Sequence, residues 1–404
     1  MLALAVAVAA FLSSSAVTAS PWLASAEEIR AGHALAERFE CARCHEGAGL
    51  ATPTADKACV GCHAQIHAGT FEAPPDILRR WQTRIVDLIQ VPSLEGTGTR
   101  LRQAWVRDFL LTPHDVRPGM TATMPRLPLT AGDADKLARW LAPDATPFDE
   151  DAAPVMWFAS TRNGRRLADT KGCGVCHRMS GLPGGLQASP LPVTIAPAKL
   201  AEGVALAPDL AWTRIRFRRE ALVAWLVDPS AMKPETTMPK LGLSRGQAED
   251  LAKFLLDTPL EPSPRAPPPE RLPVLTRRVP FAEVRDRVFK HTCWHCHSEP
   301  DLALGDGGPG NTGGFGFKGR GLSLVSYEMI MAGVIGDDGE RRSIFKPLSA
   351  TDKTSRLVAS LVARQVEEAG GEIPGIRGMP LGLPALSPED LQLVESWIQQ
   401  GRPE

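Results

Sequence analysis

Four copies of one short phrase constrain this chain more than any other feature. They are Cys41-Ala42-Arg43-Cys44-His45, Cys59-Val60-Gly61-Cys62-His63, Cys173-Gly174-Val175-Cys176-His177 and Cys293-Trp294-His295-Cys296-His297. Each reads C-x-x-C-H, and the chain's 8 cysteines are all used by these copies. Two thiols one helical turn apart match the two vinyl groups of one porphyrin, and the histidine that follows reaches its iron as proximal ligand. One such phrase alone could equally be a zinc half-site or a redox dithiol. Four copies far apart, each closed at once by histidine, favour covalent haem over zinc. Closely spaced cysteine pairs would also be odd disulfide staples in a chain of this size. The expectation is four covalently attached haem c groups. Cys41, Cys44, Cys59, Cys62, Cys173, Cys176, Cys293 and Cys296 would attach them, and His45, His63, His177 and His297 would be proximal ligands.

The chain has 404 residues, enough for several small domains with separate cores. A net charge of −1 gives no reason to expect a nucleic-acid partner. Thirty-six prolines, a single tyrosine and little period-two alternation predict a mainly α chain of short helices in much irregular backbone. Leu2 to Leu12 is an apolar run of leader length, and Ala24-Ser25-Ala26 offers a small-x-small cleavage site before Glu27. Residues 1–26 therefore read as a signal peptide, although no lysine or arginine precedes the apolar run. No cysteine adjoins the cleavage site, which speaks against a lipid anchor. No other run is long enough to span a bilayer, so no transmembrane span is expected in the mature chain.

An internal repeat is the second strong signal. Gly164 precedes Cys173 by the same interval as Gly32 precedes Cys41. Pro208-Asp209-Leu210 answers Pro92-Ser93-Leu94, Trp225-Leu226 answers Phe109-Leu110, and Thr237-Met238-Pro239 answers Thr123-Met124-Pro125. Thr130 with Asp133, and Ser244 with Gln247, start the closing helices of the two copies. These read as domains 27–150, with two motifs, and 151–260, with one. Residues 261–280 are a proline-rich linker, extended and fairly stiff. A third domain, 281–404, opens on a helix from Phe281 to Lys290 and closes on one capped by Ser387 with Pro388 at its first position. Its glycine-rich loop, 305–321, contains Gly314-Phe-Gly316-Phe-Lys-Gly319. That string matches G-x-G-x-x-G, but no strand precedes it, so a dinucleotide site is rejected.

A leading helix, C-x-x-C-H, a loop, Met-Pro and a closing helix together resemble the class I cytochrome c fold. The resemblance implies three tandem cytochrome c-like domains, the first with an extra inserted haem motif. The third is also similar to planctomycete-type cytochrome c domains, on Leu322-Ser-Leu-Val-Ser-Tyr327 and Ser396-Trp397-Ile398. The resemblance further implies haem attachment outside the bacterial inner membrane, which agrees with the leader.

Each iron needs a sixth position filled or left open. Ten methionines and thirty-six prolines would give roughly one Met-Pro pair by chance, whereas three occur, one per domain. Met124, Met238 and Met379 are the expected sixth ligands, which would raise the reduction potential. Four haems and three methionines leave one haem over. The leading helix assigns the class I role to His45, yet His63 lies as far before Met124 as His177 lies before Met238. Met124 could therefore serve the second haem. His67, His33 and His114 are rival sixth ligands. Geometry argues against His67 for the haem of His63 and for a neighbouring haem instead, because four residues span at most about 14 Å and would have to round a porphyrin edge. His291 and His295 read as packing or solvent neighbours.

These features predict a periplasmic electron carrier, with periplasmic or membrane-bound redox proteins as partners. The alternative is a haem enzyme, peroxidase-like or acting on a small inorganic substrate, with an open iron in the first domain. No spare cysteine and no carboxylate–histidine constellation supports that alternative.

Overall fold

A computed structural model describes residues 23–85, 88–143, 158–299, 310 and 313–404. The apolar run Leu2–Leu12, residues 86, 87 and 144–157, and residues 305–309, 311 and 312 of the glycine-rich loop lie outside them. The described chain is mainly helical, as expected.

In the first unit, α1 (Ala26–Arg38) begins at Ser25. Ser25 and Glu28 cap each other's backbone N–H, satisfying donors that a helix start leaves open. The chain then passes through a short turn, Cys41–Arg43. It continues into α2 (Cys59–Ala68), α3 (Pro75–Arg84), α4 (Thr97–Arg100), α5 (Gln103–Leu111) and α6 (Ala131–Leu141). The Thr130–Asp133 capping box predicted for α6 is formed. Helices α1 and α6 cross at Gly32, where a Cβ would lie 2.3 Å from Lys136 O. Only glycine permits that approach. Ala36, Val106, Leu110, Leu137 and Trp140 fill the core around the crossing.

The second unit repeats this plan. It contains α7 (Thr161–Thr170), α8 (Cys173–Cys176), α9 (Pro197–Leu206), α10 (Thr213–Arg216), α11 (Arg219–Val227), α12 (Pro229–Met232) and α13 (Arg245–Asp257). Helices α7 and α13 cross at Gly164, 2.0 Å from Asp250 O by the same measure. Ser244 and Gln247 make the closing capping box.

The two units meet about a pseudo-twofold axis. Leu101 and Phe217 form an antiparallel bridge, and they are related by the same offset as Pro92 and Pro208. Arg102 N donates to Arg216 O and Arg218 N to Arg100 O, each at 2.9 Å. A two-fold arrangement requires such a reciprocal pair.

The third unit opens with α14 (Phe281–Val284), which widens into a π-helix, Arg285–Cys293. The predicted leading helix therefore runs on to the first cysteine of its motif, wound more loosely than an α-helix. It continues with α15 (Tyr327–Ala332), the two-residue strands β1 (Val334–Ile335) and β2 (Arg341–Arg342), α16 (Arg356–Glu368) and α17 (Pro388–Gln399). Strands β1 and β2 pair antiparallel, Val334 opposite Arg342. Trp397 is fully buried against Phe281, Phe289 and Phe345.

Residues 261–280 form neither helix nor strand. Their later part lies along α17: Leu275 N donates to Ser396 Oγ and Val279 N to Gln400 Oε1, both at 2.9 Å. The third unit also grips the first. Phe315 N donates to Glu40 Oε2 at 3.0 Å, Arg126 Nη1 to Gly371 O at 2.8 Å, and Arg364 Nη2 to Ala122 O at 2.6 Å. The G-x-G-x-x-G string is thus a docking turn, closed by a Gly314–Phe317 bridge and pressed on Phe39 and Arg43.

Candidate functional site

The repeated units present their motif histidines in the same way. His45 Nδ1 lies 2.9 Å from Pro92 O, and His177 Nδ1 lies 2.9 Å from Pro208 O. A carbonyl can only accept, so Nδ1 carries the proton and Nε2 keeps a free lone pair. The loop is held from its other side by Leu94 N donating to Glu46 O and Leu210 N to Arg178 O, each at 2.8 Å. Burial lowers the pKa of both histidines, against the raising effect of those carbonyls. A neutral imidazole oriented by a carbonyl on its other nitrogen is the form that binds a metal.

The third unit repeats the backbone half of this clasp with a slip of one residue, while His297 Nδ1 is buried without a hydrogen-bond partner. Leu324 N donates to His297 O at 2.9 Å, and the Leu322 carbonyl raises His297's pKa against the larger effect of burial. The extra residue per turn of a π-helix just upstream accompanies this slip.

All eight cysteines are free thiols. Burial pushes Cys41 and Cys173 up to about 11 and Cys293 up to about 12. The first and second motifs touch. Cys44 and Cys59 share a hydrogen bond that favours the Cys59 thiolate, lowering it to about 7, and Arg43 adds to the effect. Cys44 is raised correspondingly. Cys296 of the fourth motif feels the charge of Cys59.

A single cavity of about 2220 Å³ joins all four motifs. His45, His63, His177 and His297 line it, and so do Met124, Met238 and Met379. Trp105, Phe109, Leu110, Leu222, Trp225 and Leu251 are among its apolar walls. Trp225 Nε1 donates to Met238 Sδ at 3.0 Å. Met124 and Met238 occupy equivalent loops before α6 and α13, and the Met379 N–H is held by Ser360 O at 2.9 Å.

The rival histidines fare differently. His67 is exposed on α2 and His33 packs edge-on to Trp140 with Nε2 near Gly49 O, so neither lines the cavity. His114 does line it, tilted against Trp212 with ring centres 4.5 Å apart and Nδ1 donating to Thr112 O. His295 is the residue that sequence reasoning passed over. Its ring centre is 5.8 Å from that of His63, and desolvation followed by His63's influence pushes it down to about 4. The two are separated by more than two hundred residues, so no local pattern could have paired them.

A zinc arrangement needs several ligands converging on one point. Among the described residues no group of three or more His, Cys, Asp or Glu does so. Paired thiols, a neutral histidine with Nε2 free, a thioether and an apolar cavity suit a covalently held haem instead. A family model for cytochrome c matches residues 161–259, almost the whole of the second unit, which is therefore a cytochrome c domain. No curated protein and no solved structure matches the chain. Among the described residues no helix is long and apolar enough to cross a membrane.

Proposed function

We propose that the chain is a tetrahaem c-type cytochrome that passes electrons between periplasmic or membrane-bound redox proteins after export behind a leader at 1–26. The observation that carries this reading is the shared cavity, onto which all four motifs and all three Met-Pro methionines open. The cysteine pairs named above would hold the four haems, with His45, His63, His177 and His297 as proximal ligands. Met124 would complete the haem of His45, Met238 that of His177 and Met379 that of His297. The second unit supports this pairing most directly, because its histidine and methionine lie within one cytochrome c domain. Haem supplies one-electron chemistry at the iron, and the chain supplies axial ligands, burial and spacing. The carbonyl clasps on His45 and His177 keep each imidazole neutral and aimed into the cavity. Contact between Cys44 and Cys59, and the closeness of Cys296, would bring three haem edges together, as rapid transfer requires.

Intact mass of the exported protein tests the count: four haem increments are expected on a chain beginning at Glu27. Electron paramagnetic resonance of the oxidised protein tests the role. All low-spin signals, unchanged by cyanide, are expected of a carrier. A high-spin signal that cyanide converts would instead indicate an open, catalytic iron.

A further inference from the structure

We propose that His295, the third residue of the fourth motif, is the sixth ligand of the haem attached at Cys59 and Cys62. The inference rests on the tetrahaem reading and supplies the ligand which that reading leaves open. Three haems have a methionine on the same unit as their histidine, and the haem of His63 has none to spare. Met124 stands to His45 as Met238 stands to His177, on the equivalent loop of the repeated scaffold. His63 is buried on α2 and faces the cavity. His295 also lines the cavity, its ring centre 5.8 Å from that of His63. Two imidazole nitrogens each about 2 Å from one metal put their ring centres about 6 Å apart, so the observed separation suits a shared iron. Direct stacking of two imidazoles would bring them closer, and the 55° between their planes rules stacking out.

Of the other histidines, His33 and His67 do not line the cavity, whereas His114 and His291 do, and His295 is distinguished by its ring contact with His63. His67 points to solvent and His33 lies against Trp140. His114 is clamped between Phe109 and Trp212 where the first two units meet. The proposal also gives the grip of the third unit on the first a purpose. The Glu40–Phe315 and Arg126–Gly371 hydrogen bonds would hold His295 opposite His63. One haem would then be completed by two units of the chain, with a ligand pair that lowers its potential relative to the His/Met haems.

The test is near-infrared magnetic circular dichroism and electron paramagnetic resonance of the haem-loaded protein, with haem content measured by mass on the same samples. One bis-histidine haem among three His/Met haems is expected. Its low-spin signal should be strongly anisotropic, because the ring planes are crossed. His295→Ala should convert that one haem to high-spin and let it bind cyanide. His295→Met should keep it low-spin, give it a His/Met spectrum and raise its potential. His67→Ala should change nothing. Four His/Met haems in the native protein would overturn the proposal without any variant. So would an unchanged bis-histidine signal in His295→Ala, or its loss in His67→Ala. A native mass with fewer than four haems would instead sink the tetrahaem reading, and this ligand with it.

Discussion

The first and second units share one scaffold and differ in what they hang from it. In both, a leading and a closing helix cross at a glycine, and a proline carbonyl two residues before a leucine orients the motif histidine. Between histidine and proline, the second unit spans residues 178–207 with one helix, α9. The first spans residues 46–91 and carries α2 and α3, with a whole extra motif on α2. The anchor points at both ends are unchanged. A loop whose ends are pinned can grow at small entropic cost, since closure entropy rises only with the logarithm of length. The difference teaches that a further motif can be inserted without disturbing the original histidine.

The largest effect should come from the part both units share. Gly164→Ala forces a Cβ into the Asp250 carbonyl and should cost about 3 kcal/mol, near the upper range for overpacking. Gly32→Ala, with a slightly wider gap, should cost a little less. Thermal unfolding of the two variants checks this, and a neutral Gly32→Ala would break the equivalence of the crossings.

A smaller effect separates the units. The residue before the first cysteine is left-handed in both, Gly172 at φ 73° and Glu40 at φ 51°. Glycine adopts that conformation freely, whereas glutamate gives up about 1 kcal/mol. Glu40 offsets this through its carboxylate, which binds Arg43, Lys57 and Phe315 N. These partners, with burial opposing them, hold its pKa below the usual carboxylate range. Glu40→Gly should lose about 1–2 kcal/mol net, since charged hydrogen bonds of about 1.5–3 kcal/mol outweigh the relieved strain. The sign with pH follows from the lowered pKa. Glu40's contribution is present above the ordinary carboxylate pKa and is lost as pH falls through its depressed value. Wild type and Glu40→Gly should therefore converge in urea midpoint in strong acid. A pH-independent difference favouring Glu40→Gly would show that Glu40 acts through its backbone alone.

Trp225 and Phe109 are equivalent positions, yet only Trp225 can donate to a methionine sulfur. Trp225→Phe should cost about 1 kcal/mol and make the second unit resemble the first. Unfolding of the second unit checks the cost. If the units carry His/Met haems as proposed, the potential of the second unit's haem should move toward that of the first's, because hydrogen bonds near an axial ligand tune it.

What was legible in the sequence was local. The capping boxes at Thr130 and Ser244, and the Ser387-Pro388 start of α17, rest on residues three apart. The correspondence of Pro92 with Pro208 was visible as repeated spacing, and its meaning, a carbonyl on each histidine, needed coordinates. Three features were not legible. The π-helix before Cys293 depends on how Phe281 and Phe289 pack around Trp397. The pseudo-twofold bridge joins two segments whose pairing no local rule specifies. His295 reads as an incidental residue inside its motif until the third unit is docked on the first. Each of these is decided by tertiary packing, which overrides local preference.

The smallest effect bears on where the mature chain begins. Ser25 caps α1 as Ser244 caps α13, and replacing such a cap by alanine costs about 1 kcal/mol. The two caps differ in one respect: a leader cut after Ala26 takes Ser25 with it. In exported protein starting at Glu27, Ser244→Ala should lower stability by that amount and Ser25→Ala should have no effect. In unprocessed protein both should lower it, and α1 should gain from the retained cap and from Ala24 N donating to Pro143 O at 3.0 Å. Intact mass and thermal unfolding on the same samples separate the cases. An equal loss from both variants in exported protein would place the cut upstream of Ser25 and keep the first unit's leading helix capped like the second's closing one.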